Sequence, residues 1–368
     1  MNEWTAWAPL YILLFIESLA VSALLARASI PVARRLGFVA GTGGRHQHGQ
    51  PMPTLGGAAI VLGFLGVVLG NLLLAFMLRP ILAERMPEVA RYLDNIPSIA
   101  GQMAAILGGA LAMSILGLID DRVGLGPKIK LAVMILATLP LIWVDVRVRG
   151  FLPWPWLGAV ITVVWVVFLT NSFNFLDNMD GLSGGVAAIV AVAFGIIAFF
   201  AGEWFMTCLY IVLVGCLCGF LRYNFHPARL FMGDNGSLFL GFLLGALSIQ
   251  STFFQKGVPT YFPVLTPLLV LGVPIFDTVS VMWIRFREGR SLMQGDRNHF
   301  SHRLVDLGMS QRGAVTLIYI VTAVVALGAV PLRSTQPLGA LAILVQTALV
   351  FWIIHRLERT AKKKKSGV

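Results

Sequence analysis

Apolar runs of about 20 residues, each long enough to cross the hydrocarbon core of a bilayer, recur along this 368-residue chain from one end to the other. Inside lipid every backbone N–H and C=O has to find a partner within the protein, and a helix satisfies them locally. The expected fold class is therefore an all-α polytopic membrane protein. Charge content agrees: 12% of residues are charged, against about 25% in an ordinary soluble domain. With 57% hydrophobic residues and a mean hydropathy of +0.83, a soluble globular protein is excluded.

Windows of about 19 residues place spans near 9–26, 55–78, 98–119, 128–145, 157–175, 184–201, 204–221, 236–254, 263–284, 313–331 and 337–355. Eleven transmembrane helices are thus expected, although the polar stretch 171–185 could merge with either neighbour. The expected organisation is one integral-membrane domain, 1–355, followed by a basic tail, 356–368. The first run, Pro9 to Ala26, has no Lys or Arg before it and no clear small-residue cleavage site after it, so a retained helix is expected rather than a signal peptide.

Cations are retained on the cytoplasmic side during insertion. One alternate set of loops, with the tail, holds 21 Lys and Arg, and the other holds 7. This predicts an outside N-terminus and a cytoplasmic C-terminus. The net charge of +11 then needs no nucleic acid as partner, and Lys362 to Lys365 read as a topology and anionic-lipid anchor. Cys208, Cys216 and Cys218 fall in one apolar run without nearby histidines, and are expected to be buried thiols rather than disulfides or metal ligands. Trp154 and Trp156 read as interfacial belt residues.

The same orientation puts the unusual polar motifs on one side. Asp120 and Asp121 close an apolar helix; Asp177 and Asp180 follow Asn171, Asn174 and Asn178 in a polar segment; Asp234 stands in Phe231-Met232-Gly233-Asp234-Asn235-Gly236-Ser237; and the last large loop carries Asp296-Arg297-Asn298-His299-Phe300-Ser301-His302-Arg303. At about 100° per residue, a helix over 171–180 puts the three Asn within one sector with Asp177 and Asp180 on its flank. Polar groups at the ends of apolar helices are costly unless they face protein, water or an ion, so a functional site is the expectation.

Five carboxylates in one place repel one another and would turn neutral without a compensating cation. Mg²⁺ is the ion implied, because it takes one or two carboxylates and fills its octahedron with water and substrate phosphates. His299, His302, Arg297 and Arg303 suit phosphate oxygens. Carboxylates, a divalent ion and phosphate binders together point to phosphoryl transfer. The chain contains no Gly-x-x-x-x-Gly-Lys-Ser/Thr loop, so P-loop ATP hydrolysis is not indicated, and no His-Glu-x-x-His zinc pattern.

These motifs, in this order, resemble the polyprenyl-phosphate N-acetylhexosamine-1-phosphate transferases, on the WecA-like branch related to MraY. The match runs from Arg45–His48 and Pro51-Met52-Pro53-Thr54-Leu55-Gly56-Gly57 through Asp120-Asp121, Asn171–Gly181 and Phe231–Ser237 to Asp296–Leu304. One departure stands out: Ser301 occupies the place of the middle histidine of the branch's His-x-His-His motif. The resemblance implies transfer of N-acetylhexosamine-1-phosphate, with GlcNAc the expected sugar, from a UDP-sugar to undecaprenyl or another polyprenyl phosphate, with release of UMP. This is the first membrane step of a bacterial cell-surface polysaccharide pathway, at the inner membrane. Membrane lipids are further partners, and a homodimer is compatible.

The resemblance also implies roles. Asp234 would hold Mg²⁺, with Mn²⁺ able to substitute. Asp120 and Asp121 would serve the acceptor, without a choice between them. Asp177, Asp180, Asn171 and Asn174 belong to the nucleotide and metal surroundings, and His299, Arg303, His302 and Arg297 would stabilise pyrophosphate charge. His48 and Arg45 read as an active-site border or an interfacial anchor. Asp277 could support the site or make a helix-packing hydrogen bond, and Glu17 is expected at a helix or subunit contact. The alternative from another class is a secondary transporter of an anionic or lipid-linked substrate, against which stand acids at helix ends rather than at the midplane. A CDP-alcohol phosphotransferase would need an Asp-Gly-x-x-Ala-Arg opening that is absent.

Overall fold

The structure, a computed structural model, describes residues 3–40, 51–148, 154–251, 262–291 and 298–365, without the side chains of 3–6 and 359–365. The elements in chain order are α1 (Glu3–Leu36), β1 (Val39–Ala40), β2 (Met52–Pro53), α2 (Gly56–Met77), α3 (Arg79–Arg85), α4 (Pro87–Val123), α5 (Pro127–Trp143), α6 (Pro155–Leu176) and α7 (Leu182–Phe200). Then follow α8 (Trp204–Asn224), α9 (Gly233–Gln250), α10 (Thr266–Val270), α11 (Gly272–Arg287), α12 (Phe300–Asp306), α13 (Gln311–Gly328) and α14 (Pro337–Lys365). β1 and β2 form a small antiparallel pair, Val39 opposite Pro53.

Every one of the eleven expected segments contains helix. Among the described residues, eight helices (α1, α2, α4, α6, α7, α8, α13, α14) are long and apolar enough to cross a bilayer, and up to nine if the pair bent by 71° between Val270 and Gly272 is one span. The other two segments are different. α5 has 17 residues, and α9 opens on Gly233-Asp234-Asn235-Gly236 and ends at Gln250; residues 252–254 of that expected span lie outside the described residues.

Local chemistry sets the breaks. α4 stops at Gly124, which takes the left-handed conformation at φ +70° and returns its N–H to Asp120 O at 2.8 Å. α5 restarts at once on Pro127, whose missing N–H costs nothing in a first helical turn. The result is a tight corner that holds Asp120, Asp121 and Lys130 at one end of two helices.

The centre of the molecule is α9. From Asn235 to Ser248 all its residues are buried, with α2, α4 and α6 packed around it. Small residues permit the close approach: a Cβ on Gly117 of α4 would lie 2.3 Å from Asn235 N, and one on Gly57 of α2 would lie 2.2 Å from Gly236 N. α8 packs likewise on α1, where Ser22 Oγ donates to Cys216 O at 2.7 Å. The three cysteines are free, and Cys216 is buried. Glu17 meets Asn71 of α2 at 2.7 Å, the helix contact expected of it. Large apolar side chains such as Leu24, Leu73, Met77 and Leu338 point outward, as lipid-facing residues do.

Candidate active site

Three helix ends converge around Asp234. The segment Pro53–Gly57 builds the approach: Phe231 N donates to Pro53 O at 2.8 Å, Gly56 N to Phe231 O at 2.9 Å and Gly57 N to Met232 O at 2.8 Å. Gly233 then turns at φ +73°, where a Cβ would lie 2.6 Å from both Asp121 Oδ2 and Thr54 O. Only glycine fits there without strain. The turn delivers Asp234 to the first turn of α9, and its N–H donates to Asp121 Oδ1 at 3.1 Å.

The Asp234 side chain is half-buried. Its Oδ1 accepts from Asn174 Nδ2 of α6 at 2.8 Å, and the same amide reaches Ser237 Oγ at 3.1 Å. Its Oδ2 lies 3.3 Å from Lys130 Nζ, while Lys130 is 2.7 Å from Asp120 Oδ2. Asp120 Oδ1 accepts from Leu125 N at 2.7 Å, which closes the corner after α4. Asp120 is thus occupied on both oxygens, with its side chain 10% exposed; Asp121 is the more open of the pair.

Asp177 follows the last turn of α6, its N–H bonded back to Phe173 O and Asn174 O. Burial, then the charges of Asp234, Asp121 and Asp180, push its carboxyl well above the usual carboxylate range. The share of that shift owed to the neighbouring carboxylates is what a divalent cation relieves. Among the described residues no three His, Cys, Asp or Glu side chains form a metal-ligand group. Asp234, with Asn174 on one oxygen, and the more open Asp121 are carboxylates that an ion needing only one or two of them, as Mg²⁺ does, could use.

A second group flanks the acids. His299, buried at the start of α12, has Nδ1 2.9 Å from Asp277 Oδ2, and Phe300 N donates to Asp277 Oδ1 at 2.6 Å. Asp277 therefore holds the histidine from α11, and the same carboxylate ties α11 to the start of α12. The His299 ring lies 5.7 Å from the Phe175 ring, and Arg285, fully buried, stacks on that same ring at 5.5 Å. Ser301 turns inward, is buried, and donates to Asn178 Oδ1 at 2.5 Å.

The expected residues thus fall into distinct places. Asp120, Asp121, Asn174, Asp177 and Asp234 come together. The three Asn do not act as one sector: Asn171 spends its amide on Val167 O at 2.8 Å and meets Met134 of α5, while Asn178 faces Ser301. Asp180 binds His226 Nδ1 at 2.8 Å and Ala228 N at 3.1 Å, so it holds the loop after α8. Arg303 donates to Glu358 Oε1 at 2.9 Å, to Ser280 Oγ at 3.0 Å and to Asn298 O, which fastens the α12 loop to α11 and α14. His302 is half-buried on α12. His48, Arg45, Asp296 and Arg297 lie outside the described residues.

Sequence reasoning missed Lys130, Arg285 and His226. The first two were counted only as loop cations. A signal existed for Lys130, which stands near the start of a helix just after an Asp pair.

A membrane-helical protein with a carboxylate-rich, phosphate-suited site at its helix ends is the class this geometry defines. Residues 103–252, from within α4 to just past α9, match the model of glycosyl transferase family 4. The chain is 32% identical over 328 residues to a probable undecaprenyl-phosphate N-acetylglucosaminyl 1-phosphate transferase of Bacillus subtilis, covering 87% of this chain and 84% of its relative. It is 33% identical over 362 residues to a decaprenyl-phosphate N-acetylglucosaminephosphotransferase of Mycolicibacterium smegmatis, covering 91% and 85%. An undecaprenyl-phosphate alpha-N-acetylglucosaminyl 1-phosphate transferase of Yersinia pestis is 27% identical over 309 residues, covering 80% and 77%. The chain belongs to the polyprenyl-phosphate N-acetylglucosamine-1-phosphate transferase family. These relatives lend the transporter alternative no support.

Proposed function

We propose that this protein transfers GlcNAc-1-phosphate from UDP-GlcNAc to a polyprenyl phosphate at the cytoplasmic face of a bacterial inner membrane, with its N-terminus outside. A phosphate oxygen of the lipid attacks the sugar-bearing phosphorus, the anhydride bond to UMP breaks, and a polyprenyl-diphosphate sugar results. One phosphoanhydride replaces another, so no ATP-driven step is needed. The observation that carries the reading is the meeting of Asp234, Asp120, Asp121 and Asn174 from three helix ends.

Asp234, held by Asn174, would hold the Mg²⁺. The ion supplies charge neutralisation and Lewis acidity when bound. Asp121 is the better candidate to face the acceptor, because Asp120 is spent on Lys130 and the Leu125 N–H. It positions the lipid phosphate rather than deprotonating it, since a phosphate monoester with a second pKa of about 6 is already largely dianionic at pH 7. His299, oriented by Asp277, would hold a pyrophosphate oxygen. Arg303 acts as a fastener of the loop.

The test is purified protein with polyprenyl phosphate, Mg²⁺ and a panel of UDP-N-acetylhexosamines, following UMP and lipid-linked sugar. Product is expected with UDP-GlcNAc, and silence from folded protein with every donor refutes the reading. Asp234→Asn keeps the acceptor for Asn174 but loses the charge; it is expected to abolish turnover in protein that still inserts and folds, and near-normal activity would remove Asp234 from the metal site.

A further inference from the structure

His226 has no role in the reading above, yet it is built like a site residue. Its Nδ1 lies 2.8 Å from Asp180 Oδ2, and that oxygen also accepts from Ala228 N, two residues further on, at 3.1 Å. His299 repeats the construction: Nδ1 on a buried Asp277, whose carboxylate also takes the N–H of the next residue. Each imidazole is held by a carboxylate that a backbone N–H holds in turn, a device that fixes ring orientation and places a proton on Nδ1.

The two locks flank the same segment. His299 and Ser301 touch Phe175 and Asn178, while His226 holds Asp180. The Asp177 turn belongs to that segment, between Phe175 and Asp180 in the chain. Around His226 the backbone is fixed as well: Arg312 donates to His226 O at 3.0 Å, and Asn224 takes Gly181 N at 3.0 Å and gives to Leu230 O at 2.8 Å. The Asp180 side chain is 4% exposed, but that of His226 is 33% exposed. With Nδ1 engaged, Nε2 is the ring nitrogen that can serve a further partner.

We propose that His226 is a second phosphate-binding imidazole of this site, its Nε2 hydrogen-bonding a phosphate oxygen of the reacting pair. The proposal rests on the transferase reading. With Nδ1–H given to Asp180, Nε2 donates to a phosphate oxygen from the doubly protonated ring, and does so without first giving up rotamer freedom.

Two substitutions separate this role from loop anchoring, because the amide of Asn sits near Nδ1 and that of Gln near Nε2. The full chain in lipid nanodiscs is assayed for KM and kcat towards UDP-GlcNAc and polyprenyl phosphate, for thermal stability, and for equilibrium binding of UDP and of farnesyl phosphate. His226→Asn keeps the Asp180 bond, so it is expected to melt near wild type while one KM and the matching binding constant weaken about tenfold. His226→Gln is expected to bind more nearly as wild type while melting lower. Weakening on the UDP arm assigns the donor phosphate, and weakening on the farnesyl phosphate arm assigns the acceptor. Wild-type binding of both probes by His226→Asn overturns the proposal, as does greater loss of binding in His226→Gln. Were the wild type inactive with every sugar donor, the transferase reading would fail on its own, and the two binding arms would still decide whether His226 takes phosphate.

Discussion

Asp277→Asn isolates the part of the site that acts through another residue. Asp277 is 1% exposed and accepts two hydrogen bonds, from the His299 ring at 2.9 Å and from Phe300 N at 2.6 Å. The amide keeps an oxygen for the backbone N–H but turns a neutral NH2 donor to the imidazole, which must then accept at Nδ1. A hydrogen bond to a charged group contributes about 1.5–3 kcal/mol and a neutral one about 0.5–1.5, so the exchange removes about 1–2 kcal/mol from the orientation of His299. At 1.4 kcal/mol per tenfold change, kcat/KM for UDP-GlcNAc is expected to fall by about 5- to 30-fold, with a stability loss no greater than the same amount, about 1–2 kcal/mol. Asp277→Ala differs: it leaves the buried Phe300 N–H without its acceptor, which costs about 1–3 kcal/mol of stability. The decisive measurement is the double variant with His299→Gln. If Asp277 works through His299, Asp277→Asn changes kcat/KM by less than about twofold in that background. A full 5- to 30-fold loss there, or wild-type activity for Asp277→Asn alone, refutes the reasoning.

Other expectations follow from the same geometry. Lys130→Met leaves Asp120 and Asp234 facing each other without the ammonium between them; stability falls by about 1–3 kcal/mol, less than for a fully buried pair, and added Mg²⁺ raises the Tm of the variant more than that of wild type. Gly233→Ala puts a Cβ 2.6 Å from Asp121 Oδ2 at φ +73°, whereas Gly37→Ala has a similar φ of +77° and open space. Both carry about 1–2 kcal/mol of backbone strain, but only Gly233→Ala is expected to lower turnover more than tenfold, read as product formed at matched protein folding. Ser301→His forces an imidazole into a site 1% exposed and breaks the bond to Asn178. A loss of about 1–3 kcal/mol in stability from overpacking is expected, and a Tm at or above wild type would show that the position has room.

The fold was legible because its determinants are local. A bilayer-length apolar run needs no knowledge of its neighbours to be a helix, and Gly124 followed by Pro127 announces a stop and a restart within four residues. The ambiguity lay where apolar length fails. α9 is among the most buried helices and yet begins with four polar or glycine residues, because those residues belong to the site and not to lipid. Its burial by α2, α4 and α6 supplies what its hydropathy lacks.

The site was legible in its acids and obscure in its cations, and one physical reason explains both. An acid at the end of an apolar helix is anomalous by itself, since topology gives carboxylates nothing to do there. Lys and Arg have a ready alternative, because the insertion rule alone accounts for cations beside helix ends. Lys130, Arg285 and Arg303 therefore look alike in the chain. They differ only in partners remote in sequence: Lys130 meets Asp234 across 104 positions, and Arg303 meets Glu358 across 55. The same holds for His226, whose nearest motif neighbours are apolar and whose carboxylate lies 46 positions earlier. The pairing of Lys130 with Asp234 is created by helix packing around α9, and the small residues that allow that packing, Gly57 and Gly117 above all, are thereby as much a part of the site as the carboxylates they bring together.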